Sequence, residues 1–263
     1  MAFLAYCHTD LHLSFSTIKL YLAGVQHYLT LDFPSSQSLF SSQAIKSTLR
    51  GIQKSSSKPE SRRKPVTGAM FRAFSTSLDN DPFGPYKSIV IKAAMYLCFY
   101  GFLRPGEFTS SPGHAGPTSD QLVWQQTHCT LSLPSTKTSQ VGPPVKIIYF
   151  PTFNDWCPVA VFSKLLAIST VSAPGSPLFP FNSKGLSTSQ FIHHIRTLAS
   201  GLGFDAKAIS GHSFRIGAAS AASSHGVPAH VIQKMGRWQS SCFTHYIPNP
   251  RAEIAKAFTN LAL

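Results

Sequence analysis

Between Gln121 and Phe150 the apolar period of this chain drops from helical to strand spacing, and helical spacing resumes on the far side. Leu122, Val123 and Trp124, then Thr130, Leu131 and Leu133, then Val145 to Phe150 are short runs rich in β-formers. STKTSQVGPP, residues 135–144, joins the last two runs and has the turn residues of a hairpin. Strands joined this closely pair antiparallel. The pattern therefore predicts a mainly α chain with one small antiparallel β-sheet of three strands set inside a helical domain.

Helices are predicted on both sides. Ser16 to Leu31 carries Ile18, Leu22, Val25 and Leu29 at helical spacing, with Ser16 as N-cap. Ser42 to Gln53 turns Ile45, Leu49 and Ile52 inward and Lys46 and Arg50 outward. Further helices are expected over Thr67 to Ser77 and Tyr86 to Leu103, then Val159 to Thr170, Ser187 to Leu202, His212 to Gly226 and Ala229 to Met235. A last one, Arg251 to Leu261, shows Ile254, Ala257, Phe258 and Leu261 along one side.

KSSSKPESRRKP, residues 54–65, interrupts this pattern with five basic residues, four serines, two prolines and no apolar side chain. Such a stretch has nothing to bury and reads as a linker. The chain divides accordingly into a small helical module, residues 1–53, the basic linker 54–65, and a larger domain, residues 66–263. The linker cations Lys54, Lys58, Arg62, Arg63 and Lys64 either lie along a phosphate backbone or simply solvate a tether. Lys19, beside the apolar stripe of the first predicted helix, is a further candidate phosphate contact.

Lysine and arginine total 23 against 10 acidic residues in a chain of 263, a formal net charge of +13. An excess this large on a chain of ordinary hydrophobic content points to a polyanionic partner, above all nucleic acid. The five cysteines are scattered without a CxxC pair, which argues against a disulfide framework. No histidine–cysteine spacing suggests a metal site, and the carboxylates are not clustered as a two-metal nuclease requires. There is no GxxxxGK[ST] phosphate loop. MAFLAYC is too short and lacks the basic start of a secretory signal. Ile89 to Leu103, the most apolar run, is broken by Lys92 and falls short of the roughly 18 clean residues a membrane span needs.

The residues that carry chemistry lie in two places. GHSFRIGAAS sets His212 and Arg215 three apart, on one face of a helix, and MGRW and THYI follow with Trp238 and Tyr246. A guanidinium grips phosphate through two parallel hydrogen bonds, and a phenol oxygen can attack phosphorus and be held as an ester. In GFLRPGEF, Arg104 ends an apolar helix, with Glu107 near enough to hold it. Alone, that pair reads equally as a local salt bridge. The small residues Gly217, Ala218, Ala219 and Ser220 read as packing.

The ordered set RxxE, a hairpin lysine, HxxR, GRW and a final tyrosine resembles the tyrosine recombinase (phage integrase) family. GHSFRIGAASAA with VIQKMGRW and HYI is especially similar to the recombinases of eukaryotic mobile elements, the DIRS- and Ngaro-like retrotransposons and the Cryptons. STIKLYLAGVQHY and LRGIQK resemble the family's helical core-binding module, RKPVT the start of its catalytic domain, and DWCPV the approach to the helix after its sheet. The module lacks a first helix that relatives have, so the clamp is expected to be N-terminally incomplete.

The resemblance implies a role for each matching residue. Arg104 and Arg215 would clamp the scissile phosphate, with Glu107 supporting Arg104. His212 would hydrogen-bond the phosphate and assist proton movement, and Trp238 would shape the pocket. Tyr246, a phenol with an ordinary pKa of about 10, would be the nucleophile of a 3′-phosphotyrosyl intermediate. Lys137 in TKTS would protonate the departing 5′-oxygen, with Lys146 on the returning strand as the competitor. The resemblance implies no cofactor, metal or ATP, and double-stranded DNA as partner. It also implies a homodimer or tetramer on DNA through the C-terminal helix 251–261, which could instead cap its own domain. No membrane is involved. The expected place is the nucleus for a eukaryotic element, and otherwise the cytoplasm with the chromosome. Two rivals are a catalytically silent DNA-binding protein domesticated from a mobile element and a type IB topoisomerase-like activity.

Overall fold

The computed structural model describes residues 1–34, 40–56, 63–133, 143–168, 175–181 and 184–246. The chain divides into two compact units, Met1–Ser61 and Arg62–Leu263. Lys58, Arg62, Lys137 and the predicted helix 251–261 lie outside the described residues, as do most of the hairpin turn and the end of the helix predicted over Val159 to Thr170.

The first unit holds α1 (Ala2–Thr9), α2 (Phe15–Asp32) and α3 (Gln43–Ser55). Ser14, not Ser16, caps α2, its hydroxyl accepting the Thr17 N–H at 3.3 Å. Ser42 caps α3 through the Ile45 N–H at 3.4 Å. The core is small: Leu4, Cys7, Ile18 and Ile52, with Leu22, Ile45 and Leu49 half-buried beside it. Val25 and Leu29, predicted to face inward, are exposed. Length explains this: the eight residues of α1 cover about 12 Å at 1.5 Å per residue, whereas the 18 of α2 run about 27 Å.

In the second unit Thr67 caps α4 (Gly68–Asp79), accepting the Met70 N–H at 3.2 Å. Pro85 opens α5 (Pro85–Tyr100), where its missing N–H costs nothing. Nearly every side chain from Ser88 to Cys98 is buried, so α5 is the axis of the core. Lys92 survives there by pairing with Asp79 at 2.5 Å, and the Tyr96 hydroxyl meets Ser75 at 2.7 Å.

The sheet has the order β1 (Leu122–Trp124), β2 (Cys129–Leu133), β3 (Val145–Tyr149), antiparallel throughout. Its inner face, Leu122, Cys129, Leu131, Leu133, Ile147 and Tyr149, joins the α5 core, and the Tyr149 hydroxyl donates to the Leu97 carbonyl at 3.1 Å. After the sheet come α6 (Pro158–Ile168), a two-stranded ribbon of β4 (Pro180–Phe181) and β5 (Lys184–Gly185), and α7 (Thr188–Gly201). Then follow α8 (Gly211–Ser224), α9 (Ala229–Gly236) and a 3-10 helix, Ser241–Tyr246. The predicted mainly helical architecture with a small three-stranded antiparallel sheet is observed, and the ribbon of β4 and β5 is an addition to it.

Candidate functional site

Two close approaches build the site. The first brings the 63–67 strap against α8. The Val66 N–H donates to Ser213 O at 2.9 Å and the Lys64 N–H to Ala208 O at 3.0 Å. A β-carbon at Gly217 would overlap the Val66 carbonyl, so only glycine lets the strap lie this close. α8 also packs on α5, which sets its first turn, with half-buried His212 and buried Arg215, beside the end of α5.

The second approach is at the end of α5. The helix stops at Tyr100, not at Leu103 as the unbroken apolar run suggested. Phe102 turns the chain with a left-handed φ of 51°, and Arg104 then opens a 3-10 turn, Pro105–Glu107. The turn folds the Glu107 carboxylate back onto the Arg104 backbone N–H at 2.6 Å.

Glu107, 5% exposed, is the hub. Its Oε2 lies 4.0 Å from Arg215 Nη1 and 3.8 Å from Arg237 Nη2. The Arg215 side chain, 3% exposed, donates through Nη1 to Phe102 O at 2.6 Å and through Nη2 to Gly236 O. Its guanidinium sits over the Trp238 ring, 4.3 Å from the centroid. Phe102 meets Trp238 edge-on and Phe243 stacks on it. A β-carbon at Gly236 would collide with the indole, so glycine is needed there as well.

Arg237 is the residue sequence reasoning passed over. It caps α9 in the left-handed region, φ 56°, and donates to Gly101 O at 3.0 Å and Met235 O at 3.2 Å through Nη1, and to Phe102 O at 3.5 Å through Nη2. Burial lowers its guanidinium pKa, Glu107 opposes that shift, and Arg104 adds to it, which places Arg104 in the same electrostatic neighbourhood. The string GRW was visible, but glycine is the expected left-handed residue at a helix end. Nothing in the sequence said that the arginine would take that role.

The structure thus sets the guanidinia of Arg215 and the unpredicted Arg237 about the Glu107 carboxylate, with the Arg104 backbone N–H as its close partner and Trp238 against Arg215. The 3-10 helix that ends at Tyr246 packs on α8 and α9; the Tyr246 side chain itself is outside the described residues. Lys146 is exposed on the outer face of β3, opposite Ser132. Arg63 and Lys64 are exposed on the strap of the second unit, whereas Lys19 and Lys54 are exposed on the first unit. Burial pushes the Cys98 thiol, which donates to Leu103 O at 3.1 Å, well above its ordinary pKa, so it is an inert neighbour of the site. Among the described residues no cluster of histidine, cysteine and acid could hold a metal ion, and no helix is long and apolar enough to cross a membrane. Two guanidinia sharing one carboxylate leave an excess of positive charge, which suits an oxyanion.

No protein-family model matches the chain, and no curated protein matches it. Solved structures do. The Tn1549 transposon integrase in complex with circular intermediate DNA superposes with a TM-score of 0.62 at 15% identity, over 96% of this chain and 81% of that one. XerA recombinase gives 0.55 at 16% identity, over 99% and 96%. The XerH site-specific recombinase bound to palindromic difH substrate in a post-cleavage complex gives 0.57 at 9% identity, over 74% and 52%. This chain therefore spans about half the length of the XerH chain. At these identities the likeness establishes the fold, that of the tyrosine recombinase catalytic domain.

Proposed function

We propose that this protein is a site-specific DNA recombinase or integrase that cuts and rejoins DNA through Tyr246. The observation that carries this reading is the convergence on Glu107 of the RxxE turn, the HxxR helix and the GRW turn, with the helix of Tyr246 packed alongside. The DNA-bound recombinases and integrase with the same fold support double-stranded DNA as the partner, as does the net charge of +13.

In this mechanism Arg104 and Arg215 bind the non-bridging oxygens of one phosphodiester. The Tyr246 oxygen attacks phosphorus, the P–O5′ bond breaks, and a 3′-phosphotyrosyl ester and a 5′-hydroxyl result. The 5′-oxygen takes its proton from a lysine, Lys137 in the hairpin or Lys146 on β3, and the phenol proton passes to water or His212. The arginines stabilise charge that grows as the pentacoordinate state forms. One phosphodiester replaces another, so the reaction needs no ATP. Arg215 is 3% exposed, so the phosphate reaches it only after its surroundings rearrange.

The mobile-element origin, the association of protomers on DNA through 251–261, and residence in the nucleus, or otherwise in the cytoplasm with the chromosome, belong to the same proposal. The test uses nicked suicide duplexes, both from the DNA flanking the coding sequence and from a random-sequence pool. An adduct that survives denaturant and disappears in Tyr246→Phe supports the reading. Tight binding with no adduct from either source assigns a silent DNA-binding protein instead, and relaxation of supercoils without strand exchange assigns a topoisomerase.

A further inference from the structure

We infer that Arg237 is a positioning residue for Arg215: it shares Glu107 with Arg215 and so keeps that guanidinium from closing onto the carboxylate. The inference rests on the recombinase reading for its kinetic consequence but not for its structural one.

The geometry is unusual for buried ions. A paired guanidinium and carboxylate normally close to about 2.7–2.9 Å. Here Glu107 Oε2 stands 3.8 Å from Arg237 and 4.0 Å from Arg215, between the two and in tight contact with neither. Its close partner is the Arg104 backbone N–H at 2.6 Å. The Phe102 carbonyl is divided in the same way, taking Arg215 at 2.6 Å and Arg237 at 3.5 Å. Arg237 is further anchored by Gly101 O and Met235 O, so its donors are directed at the protein and not at a ligand. It ties the chain just before Arg104 to the turn just before Trp238.

The charge count agrees. Three guanidinia, of Arg104, Arg215 and Arg237, against one carboxylate leave a net of +2. A phosphodiester carries one negative charge and its pentacoordinate state two. Without Arg237 the set would hold +1, and Glu107 would have Arg215 as its only side-chain partner. Closing that pair would draw Arg215 by about an ångström, a displacement that costs on the order of 100-fold in a positioned reaction.

The test compares Arg237→Ala, Arg237→Lys and the double variant Arg237→Ala with Glu107→Gln, which restores a net of +2. Arg237→Ala should lower the rate of adduct formation by about 100-fold and leave duplex affinity within about twofold, since many other cations supply affinity. Arg237→Lys should fall between, because one ammonium cannot span three carbonyls and a carboxylate. The double variant should recover at least about tenfold of the loss. Equal damage in the single and double variants would mean that Arg237 only holds the turn together, and a wild-type rate in Arg237→Ala would mean that it does nothing; either overturns the inference.

A second measurement is independent of activity. With Trp124→Phe and Trp156→Phe, Trp238 is the sole tryptophan, and its emission reports the guanidinium stacked on it. Arg237→Ala should shift that emission and the Glu107→Gln partner change should restore it. No shift overturns the inference. A shift and restoration in a protein that forms no adduct would overturn the recombinase reading alone.

Discussion

Gly217→Ala is the sharpest probe of how the site is assembled. On an open helical surface the change from glycine to alanine stabilises by about 1 kcal/mol. At Gly217 the new methyl would overlap the Val66 carbonyl, which is backbone and cannot rotate away. The strap must retreat. Retreat exposes Val66, now 0% exposed, at about 1.5–3 kcal/mol, and breaks the Val66–Ser213 and Lys64–Ala208 hydrogen bonds at about 1 kcal/mol each. Less the propensity gain, the net is a loss of about 3 kcal/mol, or a Tm lower by roughly 6–12 °C for a unit of this size. All three tryptophans, Trp124, Trp156 and Trp238, lie in the second unit, so their fluorescence follows its unfolding alone. Gly24, in α2 with nothing within 4 Å of its would-be β-carbon, is the control, and helical circular dichroism should show Gly24→Ala raising stability by about 0.5–1 kcal/mol. If Gly217→Ala were neutral or stabilising, the strap would not be seated on α8 and the placement of Arg215 argued from it would be wrong.

Trp238→Ala should destabilise the second unit by about 3–5 kcal/mol in urea titration, while Trp238→Phe, keeping a ring under the guanidinium, should lose less than half of that. Arg215→Ala should abolish the covalent adduct while gel-shift affinity for duplex DNA stays largely intact, because affinity is spread over many cations; loss of binding in parallel would refute its assignment to the phosphate. Burial raises the Tyr96 and Tyr100 hydroxyls to about 12, so the folded state favours the neutral phenols. Their contribution is fully present below the unfolded pKa of about 10 and is lost as pH rises through about 12. Urea midpoints should therefore fall steeply from pH 10 to 12, and the fall should be shallower in Tyr96→Phe.

The three strands of the larger sheet were legible to within a residue or two because alternation on a sheet with one buried face leaves a clean signature; the two-residue strands β4 and β5 were not. The helices around them were legible by period, whereas the one cap read from the sequence, Ser16, was wrong, since Ser14 caps α2. α1 was not legible, since Ala2–Thr9 is apolar on all sides and offers no stripe to read. The run from Leu97 to Leu103 failed differently: it stays apolar through the point where the chain leaves the helix, so periodicity carried the helix past Gly101. In the site, spacing put His212 and Arg215 in the first turns of one helix, but proximity misassigned Glu107, whose carboxylate takes the Arg104 backbone N–H and faces the guanidinia of Arg215 and Arg237. What spacing cannot carry is a left-handed residue that is not glycine. Gly236 met the expectation for a helix end, and that satisfied signal hid Arg237 one position later.

Phe102 and Arg237, the two left-handed residues at the site, are joined by more than location. Each such residue costs about 1–2 kcal/mol relative to ordinary backbone, and an isolated turn would place glycine there. Their conformations turn the carbonyls of Phe102 and Gly236 toward the same guanidinium, that of Arg215. Side chains alone would not hold that cation, because a second carboxylate in place of those dipoles would cancel the charge an oxyanion needs. Carbonyl dipoles take one donor on each of Nη1 and Nη2 and leave the full positive charge in place. Backbone strain at Phe102 and Arg237, glycine at Gly236, and an aromatic floor at Trp238 are therefore parts of one device, which orients a buried cation without neutralising it.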